Sequence, residues 1–286
     1  MCFITRGIMK FLLNITSLTM ISLLISCSKN DEINPVNEDI LFLVLGKMSI
    51  YTQDIIGNHT LRDHHFVAEI MPKKTGEILS GTLTSADDPD FILPFNPEGR
   101  QFLAHGARTL TPEELHIAHP DGTYLFNYKT PNGEMTTQPL TLKRRDTTDI
   151  MPLPSTLSLT QNGKSIIPDL INPTQDLTIH WTPMNGNMRA KNSELDDLIF
   201  VLAFDCFGNN IAHSGRPYNG KPFLTYKDTE FTIPAHDLKE GVSYNLIVEQ
   251  ATADVMRHQG VPGIATYATL TFLDAQTSGQ STCPSK

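Results

Sequence analysis

Positive charge is scarce in this sequence: 22 lysines and arginines stand against 31 aspartates and glutamates. A phosphate-binding surface needs the reverse balance, so nucleic acid is excluded as a partner. Also missing is any stretch of the roughly 20 apolar residues that a bilayer-spanning helix requires. The longest apolar run, Phe11 to Ile25, is interrupted by Asn14, Thr16, Ser17, Thr19 and Ser22. Gly-x-Ser-x-Gly, Ser-x-x-Lys and a phosphate-cradling glycine loop are absent, and no glutamate stands where His-Glu-x-x-His would need it. The common nucleophilic, nucleotide and zinc-peptidase chemistries therefore have no local signature here, and no catalytic residue, metal ligand or cofactor is assigned.

What remains of metal chemistry is a scatter of histidines. His59, His64 and His65 lie close in sequence, and His116 and His119 are three apart. A zinc site needs three or four converging ligands, so each group alone is incomplete and is expected at polar surface or turn positions. Asp87-Asp88-Pro89-Asp90 lacks the alternating ligands and closing glutamate of a calcium loop and reads as an acidic turn.

At the N-terminus Lys10 precedes the interrupted apolar run, which ends in small residues, the layout of an export signal. Met9-Lys10-Phe11 is a more ordinary start for such a signal than Met1-Cys2-Phe3. The end of the run, Leu24-Ile25-Ser26-Cys27, resembles the lipobox of bacterial lipoproteins. That resemblance implies cleavage before Cys27, which becomes the new N-terminus, and its acylation by palmitate-like chains. Ser28 after it, rather than aspartate, is similar to lipoproteins sent to the outer membrane or cell surface. The implied partner is thus the lipid membrane, held through buried methylenes worth roughly 0.8 kcal/mol each. The alternative is an ordinary secretory signal cut near Ser26, leaving a periplasmic or secreted protein.

Loss of Arg6 and Lys10 with residues 1–26 takes the formal net charge from −9 to −11. Residues 27–38 are polar enough for a flexible tether. Beyond them, Asp/Asn/Gly/Pro/Ser/Thr clusters recur every ten residues or so between short runs rich in Val, Ile, Phe, Tyr, Leu and Thr. That rhythm predicts an all-β chain of two tandem β-sandwich domains, over 39–148 and 152–275. One helix is expected: Thr111-Pro112-Glu113-Glu114 offers an N-cap hydroxyl, proline at the first helical position and glutamate three after the cap. Thr123 to Leu142 reads as a hairpin, with aromatic residues on alternate positions and Asn132-Gly133 at a tight turn.

In the second half Leu177, Ile179 and Trp181 alternate with polar residues, and Leu238 to Val248 carries Gly241 and Tyr244 ahead of Leu246 and Val248. This resembles the corner between the fifth and sixth strands of fibronectin type III and related immunoglobulin-like sandwiches. The resemblance implies that the Tyr244 hydroxyl bonds to upstream backbone and that Trp181 is the core tryptophan. Two long loops, 185–197 and 214–228, are the expected contact surface, with Tyr218, Phe223 and Tyr226 as candidate binding residues. Cys206 and Cys283 can form a disulfide in an oxidising compartment, although the composition of 276–286 favours a disordered tail.

The functional expectation is a lipid-anchored, non-catalytic binding module with a protein or glycan ligand. The alternatives are a glycan-binding or glycan-processing accessory and a hydrolase or metalloprotein whose site is assembled from dispersed residues.

Overall fold

The computed structural model describes residues 38–74, 78–133, 135–144, 151–184 and 194–284. Cys27 and its lipobox, and most of the loop expected at 185–197, lie outside the described residues. The fold is all-β, as the spacing predicts.

The first half contributes β1 (Ile40–Gln53), β2 (His59–Pro72), β3 (Ser80–Ser85), β4 (Ile92–Pro94), β5 (Asn96–Glu98), β6 (Gln101–Thr109), helix α1 (Pro112–Ala118), β7 (Gly122–Lys129) and β8 (Thr136–Leu142). The second supplies β9 (Leu157–Gln161), β10 (Lys164–Ile166), β11 (Leu177–Trp181), β12 (Leu198–Asp205), β13 (Asn210–His213), β14 (Leu224–Thr225), β15 (Glu230–Ile233), β16 (Ser243–Ala251), β17 (Asp254–His258) and β18 (Val261–Gln276).

Local chemistry explains the pieces. Thr111 caps α1 by accepting from the Glu114 N–H at 3.2 Å, and the Glu114 carboxylate accepts from the Thr111 N–H at 3.3 Å. In β7 the alternate residues Tyr124, Phe126 and Tyr128 all point into the core. The β7–β8 connection is wider than a two-residue turn, because pairing stops at Tyr128–Thr136.

Two sandwiches are present, and they share a sheet. A ten-stranded sheet runs β13-β12-β16-β18-β1-β2-β6-β5, with β14 on β12 and β17 on β18. The sheet β4-β3-β7-β8 covers its first-half portion, and β10-β9-β11-β15 covers the other. In the second sandwich β9-β11-β15 faces β18-β16-β12-β13, the immunoglobulin-like arrangement that the Trp181 and Tyr244 resemblance implies. Trp181 is buried there, its indole N–H donating to the Asp228 carbonyl at 3.0 Å.

The junction is the parallel pairing of β1 with β18, from Leu43–Gly263 to Gln53–Leu273. Val261, Ala265 and Tyr267 of β18 belong to the first core, whereas Leu273 and Ala275 belong to the second. The strand assigned from sequence to the second domain alone thus serves both. The Gln53 side chain adds a second join, donating to the Leu157 carbonyl at 2.9 Å and accepting from its N–H at 2.6 Å.

The C-terminal segment departs from the disordered tail expected over 276–286. Cys283 is disulfide-bonded to Cys206, and Thr277, Ser278 and Thr282 pair with the backbone of Val242, Ile171 and Gly241. A composition rich in Ser, Thr and Gly is held here by a covalent bond and by hydrogen bonds to two neighbouring segments.

Candidate functional site

Strand alternation sends every second residue of the shared sheet away from both sandwich cores. On that outer face Phe42, Val44, Gly46 and Met48 project from β1, Val67, Glu69 and Met71 from β2, Leu198, Phe200 and Leu202 from β12, Glu249 and Ala251 from β16, and Ile264, Thr266 and Ala268 from β18. Many of the apolar ones form a third cluster, separate from the two cores. The face is concave: residues of β12 and β2, at opposite sides of the sheet, line one cavity of about 150 Å³.

The centre of the concavity is made of small residues. A Cβ on Gly46 would meet the Thr266 methyl at 2.5 Å, so only glycine lets β1 approach β18 side chains so closely there. Over the cavity lies the segment after β13. It is pinched at its base, where Gly215 (φ +99°) comes so near the Pro222 carbonyl that any side chain would collide with it. This loop carries Arg216 to the cavity wall beside His213.

The charged groups in the cavity have unusual surroundings. Glu69 has Val44 and Leu103 as cross-strand neighbours, and Glu249 has Phe200 and Leu270. Both residues are half-buried and line the cavity, and neither accepts a hydrogen bond from any described residue. Burial pushes Glu69 up to about 7, against the pull of the Arg216 charge. Burial also pushes Glu249 up to about 7, with the Glu69 charge adding to it. Burial and then Arg216 depress His213 to about 4, so the ring is neutral at physiological pH, and its Nδ1 accepts from the Gly215 N–H at 3.0 Å. Arg216 itself is lowered by burial, with Glu69 opposing that shift and Arg100 reinforcing it.

The aromatic residues expected to bind from the 214–228 loop are engaged in packing. Tyr218, held at φ +62°, packs on Phe42 at 6.1 Å between ring centres and lies under the Arg257 guanidinium at 5.4 Å. Its hydroxyl donates to Glu194, which also pairs with Arg257 through two hydrogen bonds of 2.8 and 2.7 Å. Phe223 joins the outer-face cluster, and Tyr226 packs against the second core beneath Lys227. Tyr218 and Phe223 therefore help to build the roof of the concavity, while Tyr226 faces elsewhere.

The histidines differ from the polar-surface expectation. His64, His65 and His119 are buried. His64 bonds Ser49 at 2.9 Å, and His119 stacks on Phe66 while accepting from the Ala107 N–H at 2.7 Å. His65 and His105 meet at 3.2 Å, and Glu98 contacts the far nitrogen of His105 at 2.7 Å. His116 turns to Lys47, whose ammonium pairs with Asp121 at 2.6 Å. Among the described residues no three His, Cys, Asp or Glu side chains converge as metal ligands.

Sequence reasoning missed Glu69, Glu249, Arg216 and His213. A signal existed for the carboxylates: each ends or interrupts a short apolar run, Phe66-Val67-Ala68-Glu69-Ile70-Met71 and Leu246-Ile247-Val248-Glu249. A charge at such a position is costly unless it serves a purpose.

No protein-family model matches the chain and no curated protein does. Among solved structures, the trypsin-activated alpha-2-macroglobulin of Escherichia coli aligns at 10% identity and a TM-score of 0.24, over 85% of this chain and 16% of that one. A mutant of the Salmonella alpha-2-macroglobulin aligns at 10% identity and a TM-score of 0.20, over 78% of this chain and 14% of that one. The chain thus spans about a sixth of the length of those proteins. Similarity at this level assigns no activity.

Proposed function

We propose that this β-sandwich protein is a lipid-anchored, non-catalytic binding module of the bacterial cell envelope. Cys27 carries the acyl chains at the outer membrane or cell surface, and the outer-face cavity takes the ligand. The observation that carries the binding half is the pair Glu69 and Glu249, two carboxyls lining one cavity with no hydrogen-bond partner among the described residues. Carboxylates set among hydrocarbon neighbours lose part of their hydration, so this pair in the cavity wall favours a ligand that satisfies them. Supporting the anchor are the Leu24-Ile25-Ser26-Cys27 motif and Ser28.

The glycan reading depended on exposed rings, and Tyr218 and Tyr226 are engaged in packing, so no observation favours it. Two measurements test the proposal. Palmitate labelling is expected in the wild type and lost in Cys27→Ala; label on the mutant removes the anchor. For the cavity, thermal-shift screening against small amines, alcohols and carboxylates is expected to yield a binder whose effect disappears in Ala251→Leu, which narrows the cavity. Equal shifts in both proteins for every compound would remove the binding role.

A further inference from the structure

The cavity is neither a polar cleft nor a plain apolar hole. Its walls are mostly hydrocarbon, with Phe42 and Phe200 as the large rings, and its charges come from three elements of the sheet and roof. Among the described residues that line it, Glu69 on β2 and Glu249 on β16 are the two acids, Arg216 in the roof is the one cation, and His213 beside it is uncharged. Arg100 lies further off and acts on Arg216. With both acids ionised, Arg216 offsets Glu69, and Glu249, with Phe200 and Leu270 as cross-strand neighbours, has no compensating cation among the described residues of the lining. A carboxylate among hydrocarbon neighbours is stabilised by a proton or by a positive charge brought to it.

We propose that the cavity binds a small organic monocation, a primary ammonium on an apolar body, with Glu249 and Glu69 receiving the ammonium and Phe42, Phe200, Leu202 and Ile264 enclosing the hydrocarbon. This rests on the reading of the cavity as the ligand site and specifies what that site takes. The three donors of an ammonium match two carboxylates that have no donor among the described residues, and aromatic faces nearby attract a cation further. A bare metal ion fits less well, because two carboxylates in a hydrocarbon setting supply too few oxygens for calcium or magnesium. A volume near 150 Å³ accommodates about one six-membered carbon ring.

The raised carboxyls make a second, independent readout. A cation binds the ionised acids, so its binding displaces the protons that Glu69 and Glu249 hold near neutrality. Affinity therefore rises with pH from 5.5 to 8 and levels off above it.

The test titrates the full acylated chain, in non-ionic micelles, with three probes of one shape: cyclohexylamine as its ammonium salt, cyclohexanol and cyclohexanecarboxylate. The ammonium is expected to bind about tenfold or more tighter than the alcohol, a difference of about 1.4 kcal/mol. Proton release should accompany it, detected in two buffers of different ionisation enthalpy. Glu249→Gln, isosteric and relieved of a buried charge, should bind ammonium and alcohol alike. If the alcohol equals the ammonium, or the carboxylate binds best through Arg216, the cation assignment is overturned while the cavity remains a ligand site. If none of the three binds, or all bind Ala251→Leu as they bind wild type, the assignment and the cavity reading both fall.

Discussion

The Tyr244 hydroxyl accepts a hydrogen bond from the Lys239 backbone N–H at 2.7 Å, five residues upstream on the approach to β16. It closes the corner that brings β15 of one sheet over to β16 of the other, and the ring itself is buried in the second core. Tyr244→Phe keeps the ring and leaves that N–H unpaired. Stability in urea should fall by about 1–2 kcal/mol with an unchanged m-value; no measurable loss would mean that the corner is held by packing alone.

Cys206 and Cys283 close a loop of 77 positions and fasten a segment whose composition otherwise favours disorder. In the chain-entropy description a loop of that length contributes about 4 kcal/mol. The Cys206→Ser, Cys283→Ser double variant should lose a comparable amount and become sensitive to proteolysis beyond Gln276. Protein unfolded without reductant should show no thiol at either position.

β18 serves both cores, so the two sandwiches should unfold together. Tyr267→Ala acts in the first core and Leu273→Ala in the second. Each should destabilise by about 2–5 kcal/mol and move a single transition, seen identically by near-ultraviolet and far-ultraviolet circular dichroism. Two separable transitions, each moved by one variant, would show that the shared strand does not couple them.

Glu69 and Glu249 titrate near 7 in the folded chain against an ordinary 4.5. Both are raised, so the folded state holds more protons in that window. The stabilising contribution is complete below about pH 4.5 and is lost as pH rises through 7. Glu249→Gln should therefore gain roughly 1–3 kcal/mol over wild type at pH 8 and almost nothing at pH 4.5. A constant difference across the range would place Glu249 in contact with solvent.

His65 and His119 run the other way. Burial depresses each to about 4, with Arg108 and His105 adding to the shift at His65 and Lys47 at His119. Their contribution is present above pH 6.5 and lost as pH falls through 4. His119→Phe keeps the stack on Phe66 but leaves the Ala107 N–H without its acceptor. This variant should be less stable by about 1–2 kcal/mol at pH 7, with the gap narrowing toward pH 4. A gap that stays the same width would show that His119 does not titrate.

Much of the architecture was legible in the residues themselves. Alternating Tyr124, Phe126 and Tyr128 and the Thr111 capping box follow from chemistry within a few residues, the Trp181 and Tyr244 positions from the immunoglobulin-like resemblance, and each forms in the structure as read. Periodicity tells which face of a strand is buried, but it does not tell which strand lies alongside. The parallel union of β1 with β18, at opposite ends of the described chain, was therefore decided only by tertiary packing. The same holds for the cavity. The runs around Glu69 and Glu249 mark each as an acid among apolar residues, but only a curled sheet brings them to one mostly hydrocarbon-walled cavity with Arg216.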